Sequence, residues 1–177
     1  PKSVKENKKY PLIVFPHSGV HADMDTYYAH IIRELIAQEY IVVAADYRGS
    51  TGYGAGTYNN IDYGGLENED VYISRNYMVD NFDIVDGSRV GIMGWSHGGM
   101  ITLMNLFNYP GQYKCGFAGV PVSDVNHAYG ICQRQLSQNL LGQESYRADC
   151  QGQYCGIQTA LSCVACGEVE RSVTYLY

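Results

Sequence analysis

Arg89-Val90-Gly91-Ile92-Met93-Gly94-Trp95-Ser96-His97-Gly98-Gly99-Met100 is the most informative run in this chain. An apolar segment enters Gly-Trp-Ser-His-Gly, and a helical pattern leaves it. Strand, sharp turn, helix is the context in which the serine of G-x-S-x-G becomes a nucleophile. A serine at the tip of so tight a turn takes a strained backbone. Side chains at Gly94 or Gly98 would collide with the neighbouring helix and strand. The strain holds the Ser96 hydroxyl out above a sheet edge. The helix behind it aims its first amides at that spot, where they favour developing negative charge. The bland alternative is a glycine-rich turn with an idle serine. The strand before, the helix after and a loop upstream able to supply another amide favour the catalytic reading.

On the N-terminal side, Tyr10-Pro11-Leu12-Ile13-Val14-Phe15-Pro16 is a short apolar run that reads as a parallel strand covered on both faces. His17-Ser18-Gly19-Val20-His21 follows as a loop at that strand's C-terminal end, the edge at which open α/β sheets bind ligands. Residues 23–39 read as a helix. Tyr28, Ile31, Ile32, Leu35 and Ile36 make one apolar stripe, and Asp23 or Asp25 can cap its start. Tyr40-Ile41-Val42-Val43-Ala44-Ala45 is a second buried strand, which completes a βαβ unit with an expected right-handed crossover. A second helix is expected over residues 66–79. Leu66, Ile73 and Tyr77 share a face, and Glu67, Glu69 and Asp70 sit in the first turn, where the helix dipole favours them. Asp86-Gly87-Ser88 is a turn. Beyond the serine, Met100, Leu103, Met104 and Phe107 form the inward stripe of a helix stopped by Asn108-Tyr109-Pro110-Gly111. Residues 113–120 make a fourth strand. This alternation predicts an α/β domain with a mainly parallel central sheet and flanking helices.

Asp46-Tyr47-Arg48-Gly49-Ser50-Thr51-Gly52-Tyr53-Gly54-Ala55-Gly56 could be taken for a phosphate cradle. It lacks the Lys-Ser/Thr of a P-loop, and its glycines do not fit G-x-G-x-x-G opening a helix. It reads instead as a tight turn whose Arg48 makes buried or half-buried hydrogen bonds near the catalytic edge.

The chain has 177 residues, 46% hydrophobic and 17% charged, which suits one globular domain with a real core. A net charge of −6 argues against nucleic acid or an anionic membrane as partner. Lys2, Lys5, Lys8 and Lys9 read as a solvated segment. No apolar run approaches the length of a membrane span, and no signal-peptide pattern opens the chain. The compartment stays open, with the cytoplasm preferred.

On Pro16-His17-Ser18-Gly19, Asp46-Tyr47-Arg48-Gly49-Ser50-Thr51-Gly52-Tyr53-Gly54, Gly94-Trp95-Ser96-His97-Gly98-Gly99 and Gly119-Val120-Pro121-Val122-Ser123-Asp124, residues 10–130 resemble the α/β-hydrolase catalytic domain of the prolyl oligopeptidase family of serine hydrolases. The resemblance implies acyl transfer to water without a cofactor. It makes Ser96 the nucleophile and the backbone N–H of His97 one oxyanion donor. The second donor comes from the His17-Ser18-Gly19 loop, with Gly19 N–H preferred. The family often has His-Gly-Gly there, so Ser18 is a departure. Trp95 is expected to pack beside the turn.

A triad of this fold runs Ser, then Asp or Glu, then His along the chain. After His97 the sole histidine is His127, and nothing in residues 131–177 resembles the remaining strands and helices of the family. Asp124 and His127 are the candidate acid and base, against a bland reading as loop residues at the sheet edge. His17 and His21 are weaker candidates. His97 points away from the hydroxyl, and His30 sits mid-helix, solvated or packed. Residues 131–177 hold five of the six cysteines and seven of the nine glutamines, with little periodicity. The chain is therefore read as a hydrolase core over 1–130 and an atypical Cys/Gln-rich tail over 131–177, a frameshifted or artificially joined end. The spacing of Cys150, Cys155, Cys163 and Cys166 fits no common zinc template, so no metal is expected; a zinc knuckle and disulfides remain the alternatives if the tail is genuine.

The function expected is that of a serine hydrolase cleaving small carboxylic esters through an acyl-enzyme on Ser96. Peptide cleavage by the same chemistry is the alternative, and a non-catalytic domain that keeps the fold without a working base is a third. An exposed sheet edge makes homo-oligomers part of the expectation.

Overall fold

The computed structural model describes residues 1 and 4–123, together with the backbone of 173–176. Its elements in order are β1 (Tyr10–Val14), a 3-10 turn (Thr26–Tyr28), α1 (Ala29–Ala37), β2 (Ile41–Val43), α2 (Ala55–Asn59), α3 (Leu66–Asn81), β3 (Val85–Trp95), α4 (His97–Asn108), β4 (Cys115–Gly119) and β5 (Val173–Leu176). The strands form one sheet in the order β2-β1-β3-β4-β5. Every pairing is parallel. All C-terminal strand ends therefore share one edge, and the loops after β1, β2, β3 and β4 meet there. β5 lies inside the segment read as an aperiodic tail, and it pairs with β4 from Gly116↔Val173 to Gly119↔Leu176.

The core is built by apolar side chains on alternate strand positions. Tyr10, Leu12 and Val14 of β1 are buried, with Pro11 and Ile13 half-covered between them. One face of β1 is thus fully covered and the other partly, where the sequence suggested cover on both. Val90 and Ile92 of β3, Ala118 of β4 and Met100, Ile101, Leu103 and Leu106 of α4 complete the centre. Full burial of each such aliphatic side chain contributes roughly 1.5–3 kcal/mol. α4 is covered nearly all round, because β3, β4 and α3 pack against it. Met100 and Leu103 are buried as expected, whereas Met104 and Phe107 are half-covered.

Several local expectations hold. Asp25 caps the turn before α1 by accepting from Tyr27 N–H at 2.8 Å, whereas Asp23 is taken by the Thr51 hydroxyl. The stripe Ile31, Ile32, Leu35 and Ile36 is the half-covered side of α1, with Arg33 and Glu34 exposed. Asp86-Gly87-Ser88 is not a turn between elements but a break inside β3. Pro11 pairs with Asp86 and Leu12 with Val90, so the residues between protrude from the ladder. Asp86 stabilises that protrusion by accepting from Ser88 and Arg89, each at 2.6 Å.

The face of α3 shared by Leu66, Ile73 and Tyr77 is the exposed one; Ile73 is 60% accessible. The buried face carries Glu67, Asn68, Val71 and Arg75. The reason is hydrogen-bond satisfaction. Glu67 accepts from Gly64 and Gly65 N–H, Asn68 donates to Gly64 C=O, and Arg75 donates to Gln112 C=O. Against α4, the Asn105 amide donates to Asn68 C=O and accepts from the Tyr113 hydroxyl. The docking is through polar groups, most of which find partners, while Asn68 Oδ1 and Arg75 Nε are buried without one among the described residues.

Candidate active site

Ser96 stands alone between β3 and α4, half-buried, with φ +54° and ψ −118°. For a non-glycine residue that backbone costs about 1–3 kcal/mol. Two hydrogen bonds hold it: Ser96 N–H donates to Gly119 C=O at 3.0 Å, and Ser96 C=O accepts from Met100 N–H at 3.0 Å. The second bond opens the helical ladder of α4. By helical geometry it leaves the amides of His97, Gly98 and Gly99 outside that ladder, at the positive end of the dipole.

The flanking glycines are required by contact. A Cβ on Gly98 would stand 2.5 Å from the Pro16 carbonyl oxygen and 2.6 Å from that of His17. A Cβ on Gly94 would overlap the Gly98 carbonyl, its carbon at 2.6 Å. β3, α4 and the end of β1 approach closely only because both positions lack side chains. Trp95 packs beside the turn, its ring centroid 5.6 Å from that of Phe15 and 5.1 Å from that of Phe117.

The loop after β1 is held from two sides. Tyr28 receives Ser18 N–H at 3.0 Å and lies 2.6 Å from the Ser18 hydroxyl. The Tyr47 hydroxyl lies 2.6 Å from the Gly19 carbonyl oxygen and 3.1 Å from that of His17. Burial pushes the Tyr47 phenol well above its ordinary range, so it stays a proton donor. Gly19 itself is exposed and adopts φ +74°, a left-handed conformation that suits glycine.

His17 is buried and stacked on Tyr47 at 4.3 Å. Its Nε2 meets the Ser50 hydroxyl at 2.8 Å and its Nδ1 the Ser18 carbonyl at 3.1 Å. Burial lowers its pKa, against the opposing pull of the Ser18 carbonyl and Asp46. The His17–Ser50 pair has the look of a catalytic couple, but Ser50 has no solvent access, so no substrate reaches it. His21 is fixed by Gly49 C=O at 2.9 Å and stacks on Tyr58. His30 is exposed on α1, edge-on to Tyr27.

His97 directs its ring away from the turn, toward α3. Its Nε2 lies 3.4 Å from Glu67 Oε1, in ion-pair reach but out of line for a good hydrogen bond. Burial alone would raise the Glu67 pKa; contacts with His97, Asp62 and the Gly64 amide outweigh it and hold the carboxyl at about 2. Asp62 moves the other way, up to about 6, through burial and then its hydrogen bond to and repulsion from Glu67. Beside them, Arg48 grips Asp70 with two parallel bonds of 2.7 Å, its backbone N–H adding a third at 3.0 Å. That half-buried fork closes the glycine-rich turn, as the sequence suggested.

Of the residues singled out from sequence, Gly19 lies on the loop after β1, Ser96 between β3 and α4, and His97 at the first position of α4, all at the C-terminal sheet edge. Asp124 and His127 lie outside the described residues. No cluster of three or more potential metal ligands occurs among the described residues, and no helix among them is long and apolar enough to cross a membrane. Sequence reasoning missed the Asp62–Glu67–His97 group. The available signal was an acid just inside a helix that opens with Gly64-Gly65, a capping position.

A parallel sheet flanked by helices, with a strained serine between the third strand and the following helix, defines a domain of α/β-hydrolase type. A profile of the prolyl oligopeptidase family matches residues 26–153, and the chain belongs to that family. Dipeptidyl peptidase 8 of Mus musculus is 30% identical over 132 residues, which are 70% of this chain and 15% of that protein. The acylamino-acid-releasing enzyme of Homo sapiens is 28% identical over 134 residues, 73% of this chain and 18% of that enzyme. Among solved structures, an acylaminoacyl peptidase in complex with Z-Gly-Gly-Phe-chloromethyl ketone superposes with a TM-score of 0.76 at 20% identity, over 99% of this chain and 33% of that one. A puromycin-hydrolyzing peptidase of Mycobacterium tuberculosis gives a TM-score of 0.78 at 20% identity, over 98% and 31%. These two likenesses bear on the fold. The chain spans less than a fifth of the length of the curated relatives named here.

Proposed function

We propose that this chain carries the nucleophile half of a serine peptidase site, with Ser96 as the attacking group and a peptide or acyl-peptide as substrate. One observation carries the reading: a non-glycine residue with φ +54° at the strand–helix junction, half-exposed, beside helix amides left outside the ladder. Strain of that kind persists where surrounding structure enforces it, and it clusters at reactive sites. The Ser96 hydroxyl attacks the scissile carbonyl and passes its proton to a base, which returns it to the leaving amine. The oxygen that becomes negative is met by the amides of His97 and Gly19. Ser18 N–H is already given to Tyr28, which favours Gly19 as the loop's donor. Losing one such donor costs about 3 kcal/mol in the transition state. Asp124 and His127 are the proposed acid and base, and residues 1–130 the proposed hydrolase core.

Relatives named for peptide or acylamino-acid release support peptides over the simple esters preferred from sequence. The test is a fluorophosphonate probe followed by peptide mapping, with turnover of acetyl-alanine p-nitroanilide compared with p-nitrophenyl acetate. Labelling at residue 96, abolished in Ser96→Ala, is expected. An unlabelled serine sinks the reading, and faster relative turnover of the ester restores the ester assignment.

A second reading, a domain that keeps the fold without catalysis, is favoured by the histidines. His17, His21 and His97 are each engaged elsewhere, and His30 is exposed on α1. Replacing His127 decides between the two: probe labelling that survives unchanged leaves the site without a base from this chain.

A further inference from the structure

We propose that Glu67 is a positioning residue for the residue-97 amide: its buried carboxylate on α3 clamps the His97 ring at the first position of α4 and so fixes where that backbone N–H points. The inference rests on the reading of Ser96 as nucleophile. Its observations are separate from that reading.

Glu67 has no solvent access, and the His97 ring is almost as deeply enclosed. A carboxylate so placed is unfavourable by several kcal/mol unless other groups compensate it. Here the Gly64 and Gly65 amides, Asp62 and the His97 ring surround it. The ring is in turn boxed by Tyr47 at 5.8 Å and by Tyr63, edge-on, at 6.3 Å. Side chain and amide of one residue thus face opposite demands. The ring is drawn toward α3, while the N–H belongs to the helix start behind Ser96. Holding the ring restricts the side-chain torsions of residue 97 and so, through its Cα, the tilt of its N–H at the start of α4. Burial would raise the carboxyl's pKa, and its contacts with His97, Asp62 and the Gly64 amide outweigh that and lower it below the ordinary carboxylate value. Capping α3 accounts for the bonds to Gly64 and Gly65, but it gives no reason for a charge to stand against His97.

The test uses the full chain and four proteins: wild type, Glu67→Gln, His97→Phe and the double variant. His97→Phe keeps the amide at residue 97 and removes the charged contact. We expect kcat on acetyl-alanine p-nitroanilide to fall about tenfold in each single variant, the size of loss a small misplacement produces. KM should stay within about twofold, because only transition-state contact is lost, and the double variant should fall no further. Wild-type kcat in His97→Phe overturns the proposal, as do losses that multiply in the double variant or appear in KM alone. If Glu67→Gln fails to fold, His97→Phe carries the test by itself. Wild type that neither labels at Ser96 nor turns over sinks the serine-peptidase reading and this proposal with it. Labelling of wild type and variants at one rate sinks this proposal alone.

Discussion

Replacing Gly98 by alanine places one methyl group against two backbone carbonyls that cannot rotate away. The new carbon would lie 2.5 Å from Pro16 O and 2.6 Å from His17 O, where ordinary contact begins at 3.4 Å. Either α4 or the end of β1 must retreat by about 0.9 Å, and overpacking of that kind costs about 1–3 kcal/mol. Rigid backbone on both sides puts the cost near 3 kcal/mol, which in a chain of this size lowers Tm by roughly 6–12 °C. The retreat also displaces the loop that carries Gly19, so fluorophosphonate labelling should slow together with the loss of stability. Gly56→Ala is the control. Gly56 lies exposed in α2 with nothing within 4 Å of a new Cβ, so alanine there should leave Tm unchanged or raise it slightly. Calorimetry with a labelling time course reads both effects. A Gly98→Ala protein that melts within about 2 °C of wild type and labels as fast refutes the close approach on which the site is built.

Two further outcomes follow from burial. Ile73→Gln on the exposed face of α3 should change stability by less than about 0.5 kcal/mol, whereas Val71→Ala on the covered face should cost about 2 kcal/mol; urea titrations giving the reverse order would return the apolar residues to the interior. His17 has a folded-state pKa below its ordinary 6.5 because it is buried. As pH falls past that value the unfolded chain binds the proton first, so stability is lost on the acid side, by at most about 1.4 kcal/mol per pH unit. His17→Gln should flatten the curve below about pH 6.5 in urea midpoints, and an unchanged slope would show that the buried ring is not its source.

The order of β1 to β4 and of α1, α3 and α4 was legible because two hydrophobic periods alternate, with glycines at the junctions, whereas α2 and β5 were not expected. The serine turn was legible because its geometry admits few residue types, and the contacts at Gly94 and Gly98 show why. The orientation of α3 was not. Periodicity assumes that apolar residues face inward, and here Glu67, Asn68 and Arg75 are drawn in by carbonyls and amides that need partners. The break within β3 looked like a turn because Asp86 organises Ser88 and Arg89 as it would in one. Only the parallel pairing on both sides of the break shows one continuous strand. The acid and base proposed from sequence, Asp124 and His127, fall outside the described residues, so that half of the site rests on chain order alone.

The Ser96 N–H reaches across to the last carbonyl of β4. Deuterium from solvent can replace that hydrogen only when the tip of β4 lifts away or the kink itself opens. Exchange at this single amide therefore gauges how often the kink is released from the neighbouring strand, whether or not any substrate is present.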